Sequence, residues 1–159
     1  MRLVEDYKSF TTTGGIGKKI TTLFNPNFHC VCLYRLSNLL YKCHLGFLGK
    51  MIWYINRLLF SVDIDYRADL AGGFVLVHGL GTVIGRNVIS KGKLVVYQHV
   101  TLGGGNGRPG RLDSDGKVRG MPLFEPDCVI YAGAVVVGGI TVKEKTIIKA
   151  GSIVARDII

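Results

Sequence analysis

The sequence predicts a parallel β-helix preceded by a short α-helical segment, and three observations carry this prediction. Aliphatic residues recur at every sixth position after residue 62, 17 of the 22 glycines fall in that same part, and residues 28–61 follow a helical pattern. We therefore divide the chain into a helical lead-in, residues 1–61, and an all-β domain, residues 62–159. With 159 residues, 48% of them hydrophobic, the chain can bury a core, which excludes a wholly disordered protein.

The lead-in is expected to hold two short helices after a weakly patterned start. Residues 1–27 show little periodicity, with a loop predicted at residues 11–15 and a helix-breaking proline at position 26. Two apolar stripes follow, separated by a break near residues 46–49. Polar side chains interrupt both stripes, so a membrane span, which needs about 20 apolar residues, is not expected. No apolar leader opens the chain and the four cysteines lack metal or redox spacing, so we expect a cytoplasmic protein.

The six-residue period indicates a coiled chain of short strands. Twelve positions keep the step, with a break of eight residues in the middle and a longer break near residues 103–129. They are Ile64, Leu70, Leu76, Ile84, Ser90, Val96, Leu102, Ile130, Val136, Val142, Ile148 and Val154. This period matches neither a helix nor simple strand alternation, and it is typical of hexapeptide repeats in a parallel β-helix. Three repeats make one coil of about 18 residues, and stacked coils bury a continuous column of side chains.

Four motifs in the all-β domain resemble those of a known family: Asp63–Asp65, Val77–Gly79, Thr82–Gly85 and Val100–Gly104. They resemble the serine acetyltransferase family of hexapeptide-repeat acyltransferases. The stretch Leu33–Ser37 in the lead-in is similar to that family and to its relatives that modify exopolysaccharides and capsules. The resemblance implies a left-handed β-helix, a homotrimer with active sites between subunits, acetyl-CoA as the acetyl donor, and no metal.

Acetyl transfer to a hydroxyl needs a base, and the resemblance assigns this role to His78. An alcohol is a weak nucleophile at neutral pH until a base takes its proton, and histidine suits that task. Asp63 matches the family's carboxylate that orients the catalytic histidine. The two residues are 15 positions apart and one coil is about 18 residues, so they can lie on neighbouring coils near one edge. A structural role is the alternative for a lone histidine.

Seven residues are expected at the donor site, again by resemblance. A run of glycines lets backbone amides approach the thioester and stabilise the developing oxyanion. Two small residues further along follow the pantetheine arm, and two more residues lie near the nucleotide end. In that order they are Gly103, Gly104 and Gly105, then Ala132 and Gly133, then Lys149 and Ala150. The alternative for each is an ordinary corner of the β-helix.

Gln98 and His99 are expected beside the acceptor, one coil below His78. One coil plus the two extra residues at the eight-residue break carries position 78 to about position 98. A surface corner is the alternative for His99. The loop insertion, residues 103–121, interrupts the repeat and holds four basic and two acidic residues, so we expect a functional excursion, with a disordered one as the alternative.

Three departures from the family pattern predict an acceptor other than serine. Val77, Gly120 and Met121 stand where the family carries charged groups that hold the amino acid. A zwitterion without paired charges is costly to desolvate. We therefore predict an uncharged acceptor, a sugar in polysaccharide biosynthesis, with Val77 and Met121 lying against the sugar ring.

The charge distribution predicts where such a sugar is met. Residues 1–62 carry 8 Lys/Arg and 2 Asp/Glu, a net charge of +6. This charge suits a lipid-linked acceptor at the inner surface of an anionic membrane, and a peripheral contact of the protein with that membrane. Nucleic acid is not expected as a partner, because no basic motif interleaved with aromatic residues is present.

Three alternatives stay open. A serine O-acetyltransferase of cysteine biosynthesis keeps the family reaction, and a non-catalytic β-helix scaffold keeps only the fold. A metal enzyme of the same fold, a γ-type carbonic anhydrase, needs three histidines at coil spacing, and the all-β domain has only His78 and His99.

Overall fold

The structure, a computed structural model, describes residues 1–12, 15–105, 110–112 and 116–158, without the side chain of Arg111. Four helices come first: α1 (Arg2–Thr11), α2 (Ile16–Thr22), α3 (Pro26–Lys42) and α4 (Gly46–Phe60). α3 and α4 correspond to the two apolar stripes. α3 begins at a proline, whose fixed φ suits the first helical position. None of these helices, within the described ranges, is both long and apolar enough to cross a membrane.

Helices α1 and α2 precede the two helices that the apolar stripes predict, in the stretch where the sequence shows little periodicity. Thr11 is the last residue of α1 and α2 begins at Ile16. The predicted loop is therefore shorter than residues 11–15, and its residues 13 and 14 lie outside the described part of the chain.

A buried charge holds α1 against the all-β domain. The carboxylate of Asp6 accepts hydrogen bonds from Nε and Nη2 of Arg35 at 2.7 and 2.9 Å. It also accepts from the backbone amides of Gly73 and Phe74 at 2.9 and 2.8 Å. An anchor of this kind is polar, so a search for apolar periodicity does not find it.

Three parallel sheets form the all-β domain, and the chain visits them in turn. Sheet 1 holds β1 (Asp63–Ile64), β4 (Val83–Ile84), β7 (Thr101–Gly103), β12 (Val135–Val137) and β15 (Ile153–Val154). Sheet 2 holds β2 (Asp69–Leu70), β5 (Ile89–Ser90), β10 (Leu123–Phe124) and β13 (Thr141–Val142). Sheet 3 holds β3 (Phe74–Leu76), β6 (Leu94–Val96), β11 (Cys128–Ile130) and β14 (Ile147–Ile148). The insertion adds an antiparallel pair, β8 (Arg111–Leu112) and β9 (Val118–Arg119).

The pairing register gives the length of each coil. Val83 pairs with Thr101, so this coil is three six-residue repeats long, as the period predicts. The coil from Asp63 to Val83 is slightly longer, because the corner after β3 contains the eight-residue break. The step from Ile89 to Leu123 is almost twice a regular coil, since the insertion leaves the coil and returns there.

The buried column of the β-helix follows the six-residue lattice. Of its twelve positions, eleven are less than 5% exposed, and Val154 in the last coil is only half-buried. Phe124 is also fully buried, in register one step before Ile130. The lattice therefore resumes earlier than the sequence pattern indicates, directly after the insertion.

The outer side of α4 is apolar and uncovered within one chain. Its side chains are 41–77% exposed: Phe47, Leu48, Met51, Tyr54, Ile55, Leu58 and Leu59. The opposite side of α4 packs on α3 through the buried Gly49 and Asn56. Gly49 is required there, because a Cβ on it would meet the Ser37 carbonyl at 2.8 Å.

Candidate active site

Seven of the predicted site residues lie along one edge of the β-helix, where the chain passes from sheet 3 to sheet 1. We call it the His78 edge, and its corners hold His78, Gln98, His99, Ala132, Gly133, Lys149 and Ala150. Backbone hydrogen bonds join successive corners. The amide of His99 donates to the carbonyl of Leu80 at 3.0 Å, and the amide of Gly133 donates to that of Gln98 at 3.0 Å. The final corner is joined in the same way, from Gly151 to Ala132 at 2.9 Å.

His78 is an exposed corner residue in the left-handed backbone region, with φ of +50°. The amide of the next residue, Gly79, donates to the side-chain oxygen of Asn27 at 2.9 Å, which fixes the corner against the start of α3. Beside the imidazole lies a cavity of about 330 Å³, walled by the ends of α3 and α4. The ring makes no hydrogen bond with the residues that the structure describes, so both nitrogens can serve a ligand.

Asp63 lies on the neighbouring coil of the same edge but does not contact His78 through a hydrogen bond in the described structure. Its Oδ1 accepts from the indole Nε1 of Trp53 at 2.9 Å. Its Oδ2 pairs with Nη1 of Arg57 at 3.1 Å. The orienting role of Asp63 therefore stays a prediction, and the structure adds two residues that hold its carboxylate.

Trp53 and Arg57 are the two residues beside the predicted site that the sequence pattern does not indicate. They lie four positions apart on α4, so both reach the same side of the helix, and the guanidinium lies 5.8 Å from the indole ring centroid. Their spacing of four residues could have indicated that the two side chains act together. The apolar stripe around them, however, predicts only a packed helix. A cavity of about 500 Å³ next to Asp63 is lined by the same turn of α4.

Gln98 and His99 lie one coil below His78. The ring of His99 lies directly under Gly81, so closely that no Cβ fits on Gly81, and φ of +69° there also favours glycine. The side-chain oxygen of Gln98 is buried and has no hydrogen-bond donor among the described residues. A buried acceptor without a donor is uncommon in native proteins, and a bound ligand is one way to satisfy it.

Gly103, Gly104 and Gly105 lie on the opposite edge of sheet 1, where the chain passes to sheet 2. The carbonyl of Gly103 accepts from the amide of Gly138 at 3.0 Å, so this edge is also a regular stack of corners. Met121 covers it, with Sδ 3.6 Å from the position of a Cβ on Gly104. These glycines and His78 are therefore on different edges of the same chain.

Val77 and Met121, expected together at the acceptor, also separate in this way. Val77 precedes His78, donates its amide to the Val96 carbonyl at 2.8 Å and packs against the core. Met121 belongs to the edge with Gly104. The predicted insertion forms the β8–β9 hairpin, and its residues 106–109 and 113–115, which include Arg108, lie outside the described ranges.

Comparison with known proteins adds a family to this geometry. No family model matches the chain. A serine acetyltransferase of Helicobacter pylori is 30% identical over 138 residues, which cover 86% of this chain and 75% of that protein. A serine acetyltransferase of Synechococcus elongatus is 34% identical over 133 residues, which cover 84% of this chain and 51% of that protein. The chain spans about half the length of the Synechococcus and Bacillus subtilis relatives.

The solved structures agree. The serine acetyltransferase of Neisseria gonorrhoeae in complex with serine has a TM-score of 0.83 and 25% identity, covering 99% of this chain and 62% of that chain. The predicted left-handed β-helix is thereby confirmed.

The predicted sugar acceptor is wrong. Relatives 30–34% identical over most of this chain are serine acetyltransferases, and the comparisons support neither polysaccharide modification nor a lipid-linked acceptor. The missing charges at positions 77, 120 and 121 do not identify the acceptor. They show that this chain lacks one set of serine-binding groups, which does not exclude serine as the acceptor. The predicted family, by contrast, is confirmed: the chain belongs to the serine acetyltransferase family of hexapeptide-repeat acyltransferases.

Proposed function

We propose that this protein is an acetyl-CoA-dependent O-acetyltransferase whose acceptor is serine. The observation that carries the proposal is the exposed imidazole of His78, which makes no hydrogen bond within the described residues. It lies at the first corner of the His78 edge, whose later corners hold small residues. The neighbour from Neisseria gonorrhoeae, solved with serine, supports the choice of acceptor. The other serine acetyltransferases among the relatives support it as well.

His78 acts as the general base in this proposal. Its free ring nitrogen takes the proton of the serine hydroxyl while the oxygen attacks the thioester carbonyl carbon of acetyl-CoA. The new C–O bond forms, the C–S bond breaks, and the proton passes to the departing thiolate of CoA. The amides of Gly103, Gly104 and Gly105 stabilise the oxyanion that forms in between.

The lower part of the His78 edge fits the rest of acetyl-CoA. A Cβ on Gly133 would meet no atom closer than 4.0 Å, and Gly151 one coil below has open space around it. Ala132 and Ala150 keep the other corner positions small. Lys149 is exposed on the last coil, where its ammonium suits the phosphates of the nucleotide end. The buried oxygen of Gln98 can accept from an amide of the pantetheine arm.

A homotrimer is the assembly that this proposal requires. His78 and Gly104 lie on different edges of one chain, so a neighbouring subunit must bring the second edge to the first. Sheets 1 and 3, which flank the His78 edge, also carry aliphatic side chains on their outer faces. Val83, Ile147 and Ile153 are 38%, 62% and 78% exposed. A second copy can bury these side chains, and light scattering of the purified protein tests the trimer: an active monomer contradicts it.

We also propose that the protein is cytoplasmic, which agrees with its four cysteines being free thiols.

Peripheral membrane contact stays a prediction. The outer side of α4 supports it, because exposed apolar residues there lie next to Lys50 and Arg57. Sedimentation with vesicles of anionic or neutral lipid tests it, and binding that does not depend on anionic lipid contradicts the electrostatic part.

A paired substitution tests the base. His78 and His44 both have left-handed backbone, with φ of +50° and +62°, and asparagine tolerates that region. We expect H78N to lower the release of CoA thiol in the presence of serine by about 10²- to 10⁴-fold, and H44N to leave it unchanged. Equal rates for the two variants refute the role of His78, and a wild-type protein without thiol release points to a scaffold.

A further inference from the structure

A cavity of about 520 Å³ lies at the edge between sheets 1 and 2, across sheet 1 from His78. Corners of the first two coils, at Arg67 and Arg86, form one wall, and residues 117–121 at the end of the insertion form the other. Met121 belongs to this second wall. Its Cε lies 3.3 Å from the position of a Cβ on Gly104, so the cavity adjoins the glycines predicted to bind the thioester.

Cationic side chains predominate among the described residues that line the cavity. Four of these residues are cationic and one is a carboxylate: Arg67, Arg86, Lys117, Arg119 and Asp69. The carboxylate is already engaged, because Asp69 accepts from Arg2 at 2.6 Å and from Lys42 at 2.9 Å. Burial opposes the ionisation of Asp69, but these two hydrogen bonds outweigh burial and lower its pKa. Asp69 therefore stays ionised, and its charge is matched from outside the cavity.

Arg67 and Arg86 differ in what they can offer a ligand. The guanidinium of Arg67 donates to both oxygens of Asp65, at 2.9 and 2.7 Å, and lies over the ring of Tyr66. Arg86 is exposed and makes no hydrogen bond or ion pair within the described residues. An unengaged guanidinium suits the two oxygens of a carboxylate, which it can bind with two parallel hydrogen bonds.

We infer that Arg86 binds the carboxylate of the acceptor amino acid, with Arg119 in the same cavity and Met121 against the acceptor's carbon atoms. This inference rests on the proposed function, in which serine is the acceptor. In serine the reacting oxygen is three bonds from the carboxyl carbon, a reach of about 4 Å. An acceptor whose hydroxyl meets the thioester at Gly104 can therefore place its carboxylate beyond Met121, in this cavity.

The assignment accounts for two of the three departures in the acceptor region. Gly120 and Met121 have no charge to offer the acceptor, and the cation comes instead from the opposite wall, at residue 86. The base then comes from the neighbouring subunit, since His78 is on the other edge of sheet 1. The acceptor site is complete only where these two edges meet.

The test compares Arg86→Ala with wild type on two acceptors, L-serine and serinol, in which a neutral hydroxymethyl group replaces the carboxylate. We expect R86A to raise KM for serine by at least roughly 10- to 100-fold, because it removes both hydrogen bonds to the carboxylate and one charge-assisted hydrogen bond alone has an effect of that size. KM for serinol should stay within about twofold of wild type, because serinol has no carboxylate to lose. Lys143→Ala, which removes an exposed cation from a different edge, is the control and should change neither value.

Each contrary outcome has a distinct meaning. Equal increases in KM for serine and serinol, or no increase for serine, overturn the inference and leave the proposed function standing. An increase in KM for acetyl-CoA alone shows that the cavity binds a phosphate of the donor and also overturns it. Wild-type protein that does not acetylate serine refutes the proposed function. Calorimetric titration with serine then decides the inference separately, since wild type must bind serine more tightly than R86A.

Discussion

Asp6→Ala should destabilise the protein by about 3–5 kcal/mol, the usual cost of removing one partner from a buried ion pair. Asp6 is fully buried and its partner Arg35 is only 8% exposed. The substitution removes four hydrogen bonds at once, two to the guanidinium and two to backbone amides at the turn before β3. Arg35 keeps its bonds to the carbonyls of Leu70 and Ala71 but loses its counter-charge.

Urea unfolding followed by tryptophan fluorescence measures this loss. For small proteins the free energy of unfolding falls by about 1–3 kcal/mol per molar urea, so a loss of about 3–5 kcal/mol should lower the midpoint by on the order of 1–5 M. Glu5→Ala is the matched control, because this neighbour on α1 is 57% exposed. Its side chain lies against Gly72, and within the described residues its carboxylate pairs only with the N-terminal amine, at 4.0 Å. All samples need the same protein concentration, since assembly adds to stability.

A double variant separates the buried charge from the packing of α1. In D6A with Arg35→Met, no unpaired guanidinium remains, so the loss should be clearly smaller than the sum of the two single losses. A D6A midpoint equal to that of Glu5→Ala contradicts the proposed anchor. Strictly additive losses show that the two side chains act independently, and they contradict the paired role.

Three further predictions concern the site and the thiols. Asp63→Asn should lower serine-dependent thiol release by about 10-fold, or ~1.4 kcal/mol of transition-state free energy, because the carboxylate only orients the base. An unchanged rate excludes this role. Gly81→Ala should destabilise the fold by about 1 kcal/mol or more beyond the loss for Gly116→Ala, as measured by thermal unfolding. Both glycines have positive φ, but of the two only Gly81 has a described side chain lying against it. Burial raises the pKa of the Cys30 thiol to about 12. At pH 9 a thiol reagent should therefore label the exposed Cys43 and reach Cys30 only after unfolding. Rapid labelling of Cys30 in the folded protein contradicts its burial.

The β-helix could be predicted from the sequence because every coil repeats the same packing requirement. Each short strand must place an aliphatic side chain in the central column, so aliphatic residues recur every six residues, and the pattern is recognisable over twelve positions. The same regularity places Gln98 and His99 below His78 by counting alone. The sequence pattern begins again only at Ile130, although one further step of six towards the N-terminus reaches Phe124, which is buried in the same register.

The rest of the site could not be predicted, because it depends on contacts between distant parts of the chain. Trp53 and Arg57 lie in a helix whose composition indicates only packing, yet both bind the carboxylate of Asp63. Arg86 lies at an ordinary corner in the sequence. Only the fold brings it into one cavity with the end of the insertion, so the sequence gives no sign of a cation near Gly120 and Met121.

The insertion interrupts the chain without disturbing the stack of coils. The chain leaves the coil after Gly103 and re-enters at Leu123, in register with Ile89 above it. The step there is almost twice that of a regular coil, and the coils on either side pair as if nothing intervened. Closing a longer loop costs only about 0.6 kcal/mol per doubling of its length. The length and sequence of the insertion can therefore change, and with them one wall of the proposed acceptor cavity, while the coils that carry Arg86 stay in register.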